Sequence, residues 1–277
     1  MAYESIEVRK LTPTIGAEIF GVELGRQIGN QQFQEIHRAL LDNLVIFFRD
    51  QTMTLEQHKA FGSRFGKLHV HPNVPQAIEA HPEILVIKAD ESSKRVAGEV
   101  WHSDVSCDEE PPMGSILHIR EVPENGGGDT MFANMYAAYD ALSDTMKAFL
   151  AGCTAVHASL KSANHQYREK NPEQRFPEAE HPIIRTHPET GRKALFVNRG
   201  FTTSIPQLSK TESDALLEML FRHAEMPKFH CRFKWQPNSV AFWDNRAVQH
   251  QALWDYYPQR RFGYRVTVCG GRPFLRA

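Results

Sequence analysis

No apolar run in the chain approaches the roughly 18 residues that span a bilayer, and the opening MAYESIEVRK has no apolar stretch of the signal-peptide kind. The sequence therefore reads as cytoplasmic, with no membrane partner. Excess charge is also absent: 32 lysines and arginines stand against 33 acids in 277 residues. No field of one sign draws it to nucleic acid. Cysteine is sparse, and Cys107, Cys153, Cys231 and Cys269 have neither C-x-x-C spacing nor the density of a disulfide scaffold. They are expected to be reduced and mostly buried. Repeats, low-complexity tracts and Pro/Ser/Gly linkers are missing as well. The whole of 1–277 thus reads as one domain, large enough for a substantial core. Its expected partners are small molecules and further copies of itself in a homo-oligomer.

Hydrophobic spacing organises what is present. QQFQEIHRALLDN (31–43) has apolar residues at helical intervals and runs into LVIFF (44–48), which suits a strand buried on both faces. Thr54-Leu-Glu-Gln has the form of a capping box, opening a helix to about Phe65. EILVIKA, SILHIREV and DTMFAN read as strands, followed by a helix over 135–150 and the strand CTAVHAS. Two hairpins are expected, PIIRTH with KALFVN around PETGR, and FHCRFKW with SVAFWD around QPN, separated by a capped helix from near Ser209. RFGYRVTVCG supplies a last strand. Many short strands with a few helices outside indicate a mainly β sandwich or barrel. The polar stretch 160–182 reads as an insertion or lid.

Chemistry concentrates in WHSD at 101–104. In extended backbone, residues two apart share a face, so His102 and Asp104 can converge on one ion. An H-x-D pair also suits a solvated turn, and a metal needs a third ligand. WDNRAVQH offers His250 just after the apolar SVAFW. Two histidines and a carboxylate with open positions opposite form the facial triad of non-haem iron(II) oxygenases. Such enzymes draw electrons from 2-oxoglutarate, whose far carboxylate calls for a guanidinium fork. In RRFGYRVTV, Arg261, Gly263 and Arg265 alternate onto one face, with the glycine making room between the arginines. The alternative is an edge strand with its arginines in solvent. GGGD at 126–129 precedes a strand and lacks a P-loop lysine, so it reads as a tight turn that aims Thr130. His69, His118, Trp101, Trp243 and Trp254 read as packed residues.

WHSDVSCDEEPPMGSIL, ENGGGDTMF, GRKALFVNRGFTT, WDNRAVQH and YYPQRRFGYRVTV resemble, in order and spacing, the signature blocks of the taurine dioxygenase family of iron(II)/2-oxoglutarate-dependent oxygenases. The likeness runs from IGAEIFGVEL near the start to GRPFLRA at the end. It implies a double-stranded β-helix, or jelly-roll, with helices outside and the metal in one mouth. By the same resemblance, His102, Asp104 and His250 are the Fe(II) ligands, and Thr130 and Arg261 hold 2-oxoglutarate. Arg265 receives the anionic head of the substrate, with His71 and Phe201 also at the substrate. The implied reaction consumes O2 and 2-oxoglutarate, yields succinate and CO2, and hydroxylates a small anionic organic substrate. A sulfonate or alkyl sulfate then releases sulfite or sulfate. The family's substrate-binding asparagine is replaced here by Gly98, and Val74 and Ala163 stand where its pocket is aromatic. A roomier pocket follows, open to longer alkyl sulfonates, alkyl sulfates or aryloxyalkanoates. A zinc hydrolase built on the same triad, and a non-catalytic jelly-roll, are the more distant alternatives.

Overall fold

A computed structural model of the chain describes residues 2–70, 77, 78, 80–159 and 176–276. His71, Val74, Ala163 and most of the 160–182 stretch lie outside them. In chain order the elements begin with β1 (Glu7–Lys10), β2 (Ala17–Phe20), α1 (Asn30–Asn43), β3 (Val45–Phe48) and α2 (Leu55–Ser63). Then come β4 (Ala77–Ile78), β5 (His81–Ala89), β6 (Gly114–Glu121), β7 (Thr130–Asn134), α3 (Met135–Asp140) and α4 (Asp144–Leu150). These lead to β8 (Thr154–Ala158), β9 (Glu178–Pro182), β10 (Ile184–Thr186), β11 (Lys193–Leu195) and β12 (Thr202–Ser204). The chain closes with α5 (Lys210–Ala224), β13 (His230–Phe233), β14 (Ser239–Asp244), β15 (Val248–Ala252) and β16 (Arg261–Val268). No helix among the described residues is long and apolar enough to cross a membrane.

Among the described residues the large sheet runs β1-β2-β3-β14-β6-β16-β5-β4 and faces the three-stranded β13-β7-β15, with β12-β8-β9 and the β10-β11 pair as further small sheets. The facing residues of the first two make one core. Phe47 of β3 stacks on Phe233 of β13 at 3.9 Å between ring centroids, and Phe132 of β7 meets Trp243 of β14 at 5.7 Å. Alternate residues of the same large-sheet strands turn outward: Ile46, Phe48, Val240 and Phe242 pack with Ile36, Ala39 and Leu40 of α1 and Phe61 of α2. Burial on both faces explains why β3 reads as an unbroken apolar run. The result is the jelly-roll architecture with helices outside.

Local signals mostly hold. Thr54 and Ser209 both form full capping boxes, at α2 and α5. β10 and β11 pair as the expected hairpin. All four cysteines are free, and Cys107, Cys153 and Cys231 are buried. Three expectations are corrected. The helix over 135–150 is two helices, because Ser143 accepts a hydrogen bond from the Met146 N–H and starts a new one. β13 and β14 are not a hairpin: β13 pairs with β7 and β14 with β3 and β6. The QPN link crosses between sheets, since Phe233 and Phe242 are needed in different cores. Finally, part of the expected insertion, Glu178–Pro182, is a strand paired with β8, burying Ala179 and His181 in alternation.

The core also holds neutral histidines. Burial, with His118 beside it, pushes His58 down to about 3; burial, with His181 beside it, does the same to His157. His118 falls to about 4, through burial and then Arg120. Unfolded, each takes up a proton near 6.5, whereas folded none does until far lower pH. Acid therefore favours unfolding. Stability should fall below pH 6.5 by up to about 1.4 kcal/mol per pH unit for each histidine. Urea midpoints at about pH 7.5 and about pH 5 measure this; equal midpoints would mean that these histidines are charged in the fold.

Candidate metal centre and its surroundings

His250 lies in the middle of β15, opposite Phe132 of β7. On its other side His102 forms an antiparallel bridge with it: the His102 N–H donates to the His250 carbonyl at 3.1 Å and the His250 N–H to the His102 carbonyl at 2.8 Å. The two rings lie 4.1 Å apart. The Asp104 Oδ1 sits 3.7 Å from His102 Nε2 and 3.9 Å from His250 Nε2. These three residues offer ligand atoms all within 4.8 Å of one another, as expected for a site that takes one ion.

Each donor is aimed. His102 Nδ1 lies 2.8 Å from the Val100 carbonyl, which can only accept, so the proton is on Nδ1 and the Nε2 lone pair faces the cluster. The Ser115 hydroxyl donates to Asp104 Oδ2 at 2.7 Å, turning Oδ1 toward the histidines. Burial works to raise the pKa of Asp104, but Arg265, His250 and His102 hold it well below the usual carboxylate range. For His250, burial and then His102 lower the pKa well below its ordinary value, which keeps the ring a neutral donor.

Asp104 is not in a strand, as its spacing from His102 suggested, but in a turn whose next residue, Val105, has φ +46°. A β-branched residue in the left-handed region costs on the order of 1–3 kcal/mol. Asn245 fixes the turn: its Oδ1 accepts from the Asp104 N–H at 2.7 Å and its Nδ2 donates to the carbonyls of Asp104 and Pro112. Sequence reasoning missed Asn245 and Ser115. Asparagine in WDNRAVQH was a usable signal, whereas nothing local marked Ser115.

Thr130 and Arg261 are brought together with Trp235. Thr130 pairs with Ala252, two residues beyond His250, so it shares the His250 face roughly 7 Å along the strand. The Trp235 indole N–H donates to Thr130 Oγ1 at 3.0 Å, and the Arg261 guanidinium lies over the Trp235 ring at 5.4 Å. Trp235 was not anticipated. Arg261 is 5% exposed, and its Nε has no hydrogen-bond partner. Burial lowers its pKa, with Tyr256 and Asp129 only partly opposing. The GGGD turn lies against it: Gly128, at φ +83°, has Arg261 Cδ where a Cβ would come within 3.0 Å. A buried guanidinium with no ion pair among the described residues, lying over the Trp235 ring that bonds Thr130, has the chemistry of an anion cradle.

Arg265 also points inward, its Nη1 3.0 Å from Asp104 Oδ1. Gly263 between the arginines has a different reason from the one expected. A Cβ there would meet the His118 carbonyl oxygen at 2.3 Å, so the glycine serves the close approach of β16 to β6 beside a bulge rather than a ligand. Phe201 lies 6.2 Å from the His102 ring. Gly98, at φ +89°, covers the same ring: a Cβ on it would lie 3.1 Å from His102 Cε1. His118, Trp101 and Trp243 are buried packing residues.

Comparison with known proteins agrees with this geometry. An alpha-ketoglutarate-dependent sulfonate dioxygenase of Saccharomyces cerevisiae is 33% identical over 282 residues, covering 97% of this chain and 68% of the relative. An alkylsulfatase of Acinetobacter baylyi is 36% identical over 280 residues, covering 96% of this chain and 86% of the relative. The crystal structure of a taurine dioxygenase from Burkholderia xenovorans superposes with a TM-score of 0.86 at 39% identity, covering 98% of this chain and 91% of that one. The profile of the family described as taurine catabolism dioxygenase TauD, TfdA family matches residues 7–267. Matched over nearly its whole length, the chain belongs to the TauD/TfdA dioxygenase family.

Proposed function

We propose that the chain is an iron(II)- and 2-oxoglutarate-dependent dioxygenase that hydroxylates the carbon carrying the sulfonate or sulfate ester of a small organic anion. The carrying observation is the convergence of His102, Asp104 and His250, together with a buried Arg261 whose Nε has no hydrogen-bond partner. Two imidazoles and one carboxylate suit iron(II) and leave positions open for co-substrate and oxygen. The oxidising power comes from iron, O2 and 2-oxoglutarate, which ends as succinate and CO2 while the substrate gains a hydroxyl. The hydroxylated product then collapses to an aldehyde and sulfite or sulfate.

The protein's part is placement. His102, Asp104 and His250 hold the metal on one side, with Val100, Ser115 and Asn245 fixing their orientation. Arg261 and Thr130 take the distal carboxylate of 2-oxoglutarate, the strand step between Thr130 and the His250 level setting its reach. Arg265 puts a guanidinium at the cluster, where the substrate's anionic head meets it. Phe201 and Gly98 line the approach at His102; the role of His71 at the head rests on the family resemblance alone, since it lies outside the described residues. The yeast sulfonate dioxygenase and the Acinetobacter alkylsulfatase support this substrate class.

Substrate-dependent succinate formation across sulfonates, alkyl sulfates and aryloxyalkanoates tests the reading; activity confined to aryloxyalkanoates, or none with any, overturns it. Within the panel, taurine should be a poor substrate. Gly98, Val74 and Ala163 stand where the family carries an asparagine and aromatic side chains, and each added methylene in a roomier apolar pocket contributes about 0.8 kcal/mol, or about fourfold in kcat/KM. An optimum at taurine would refute the roomier pocket.

A further inference from the structure

A second cavity, of about 440 Å³, opens between α1, the end of α2 and the C-terminal tail. None of His102, Asp104, His250, Arg261 and Arg265 lines it. Four guanidiniums do: Arg64, Arg185, Arg246 and Arg272. Phe33, Phe65 and Phe274 give it an apolar wall.

The acids nearby are already engaged. Arg246 donates to both oxygens of Asp244 and to Glu189 Oε1. His187 and His37 take further contacts to the same two carboxylates. Arg64 donates only to the Ile28 carbonyl and Asn30 Oδ1, both uncharged. Among the described residues, Arg185 and Arg272 form no ion pair. Arg185 is 4% exposed, its Nε has no hydrogen-bond partner, and its guanidinium lies over the Phe196 ring at 4.7 Å. Burial pulls its pKa down to about 10, so Asp244 does not offset the cost of desolvation. A buried guanidinium with an open Nε that shares a cavity with two exposed arginines has the chemistry to recruit an anion.

We propose that this cavity is an oxyanion site, in which a sulfate, phosphate or carboxylate head sits on Arg185 with Arg64 and Arg272 around it. A short hydrocarbon tail, where the ligand has one, lies on Phe33, Phe65 and Phe274. The site is separate from the metal cluster and does not depend on the reaction assigned to it.

Crystals of the full chain soaked in sodium selenate locate the head directly by selenium anomalous scattering. Calorimetry with sodium sulfate and with hexyl sulfate follows in solution, in an Arg265→Gln background that removes the head-group contact at the metal cluster. A selenium peak within hydrogen-bond reach of Arg185 is expected, and Arg185→Gln should weaken both anions by about tenfold or more. Arg272→Gln alters an exposed side chain, so it should weaken them severalfold with no change in melting temperature in anion-free buffer. Tighter binding of hexyl sulfate than of sulfate identifies an amphiphile as the better ligand, and equal binding a bare oxyanion. The proposal fails if selenium is absent from the cavity, if a carboxylate of a neighbouring copy fills it, or if binding is unchanged in both Arg185→Gln and Arg272→Gln.

Discussion

His102→Ala, Asp104→Ala and His250→Ala each lose more than about 100-fold of iron-dependent turnover, since removal of even an outer hydrogen-bonding partner of a metal ligand costs 10- to 100-fold. The three differ in stability. His102→Ala and His250→Ala leave the Asp104–Arg265 ion pair in place, so their melting temperatures should stay closer to that of the parent. Asp104→Ala strips Arg265 of its carboxylate while the Asn245 clasp on the backbone of residue 104 remains. Leaving a largely buried guanidinium unpaired makes it the least stable of the set. Iron titration, initial rates and thermal denaturation of all three measure this together; near-normal turnover and iron affinity in any one removes that residue from the triad.

Arg261→Ala should raise the apparent KM for 2-oxoglutarate by about 30- to 4,000-fold, the equivalent of about 2 to 5 kcal/mol for losing a charge-assisted fork to a buried carboxylate. Arg265→Ala should act mainly on the primary substrate. The same structure implies an unusual companion result. Arg261 is buried with no ion pair among the described residues, so Arg261→Met, which keeps the hydrocarbon against Trp235, should leave the ligand-free protein as stable as the parent or more so. Steady-state kinetics at varied 2-oxoglutarate and a melting curve distinguish this from general damage. Equal defects toward both substrates with no rescue at high 2-oxoglutarate would refute the assignment.

What could be read in the sequence follows from which forces act locally. Capping boxes at Thr54 and Ser209 satisfy backbone donors within four residues, so they were visible before any tertiary contact. The apolar run of β3 likewise announces burial on both faces. The partner of β13 was not visible, because strand pairing is decided by which core Phe233 enters, and that depends on Phe47, far away in sequence. At the site, His102, Asp104 and His250 stood out through residue type and order, Arg261 through strand alternation that left an exposed edge open, and Thr130 through the family resemblance alone. Asn245, Ser115 and Trp235 did not, since each acts through a hydrogen bond to a residue more than ten positions away. Gly263 looked like room between the two arginines because a sequence does not display the neighbouring strand's carbonyl that fills that space.

The segment that carries His102 is fastened along β15 like a short zip. Gly98 accepts from the Ala252 N–H, His102 exchanges two backbone bonds with His250, and the Ser103 hydroxyl donates to the Val248 carbonyl. Two of the three candidate ligands therefore sit on opposite sides of one seam, and opening the seam separates them. An ion bridging both sides would act as a lock on local fraying, adding its binding free energy to the cost of unzipping this edge alone. The reverse coupling is equally required: the stiffer the seam, the less chain entropy an arriving ion has to remove. Substitution of Ser103, whose hydroxyl is the side-chain tie in this seam, would then tune metal residence time without touching a ligand.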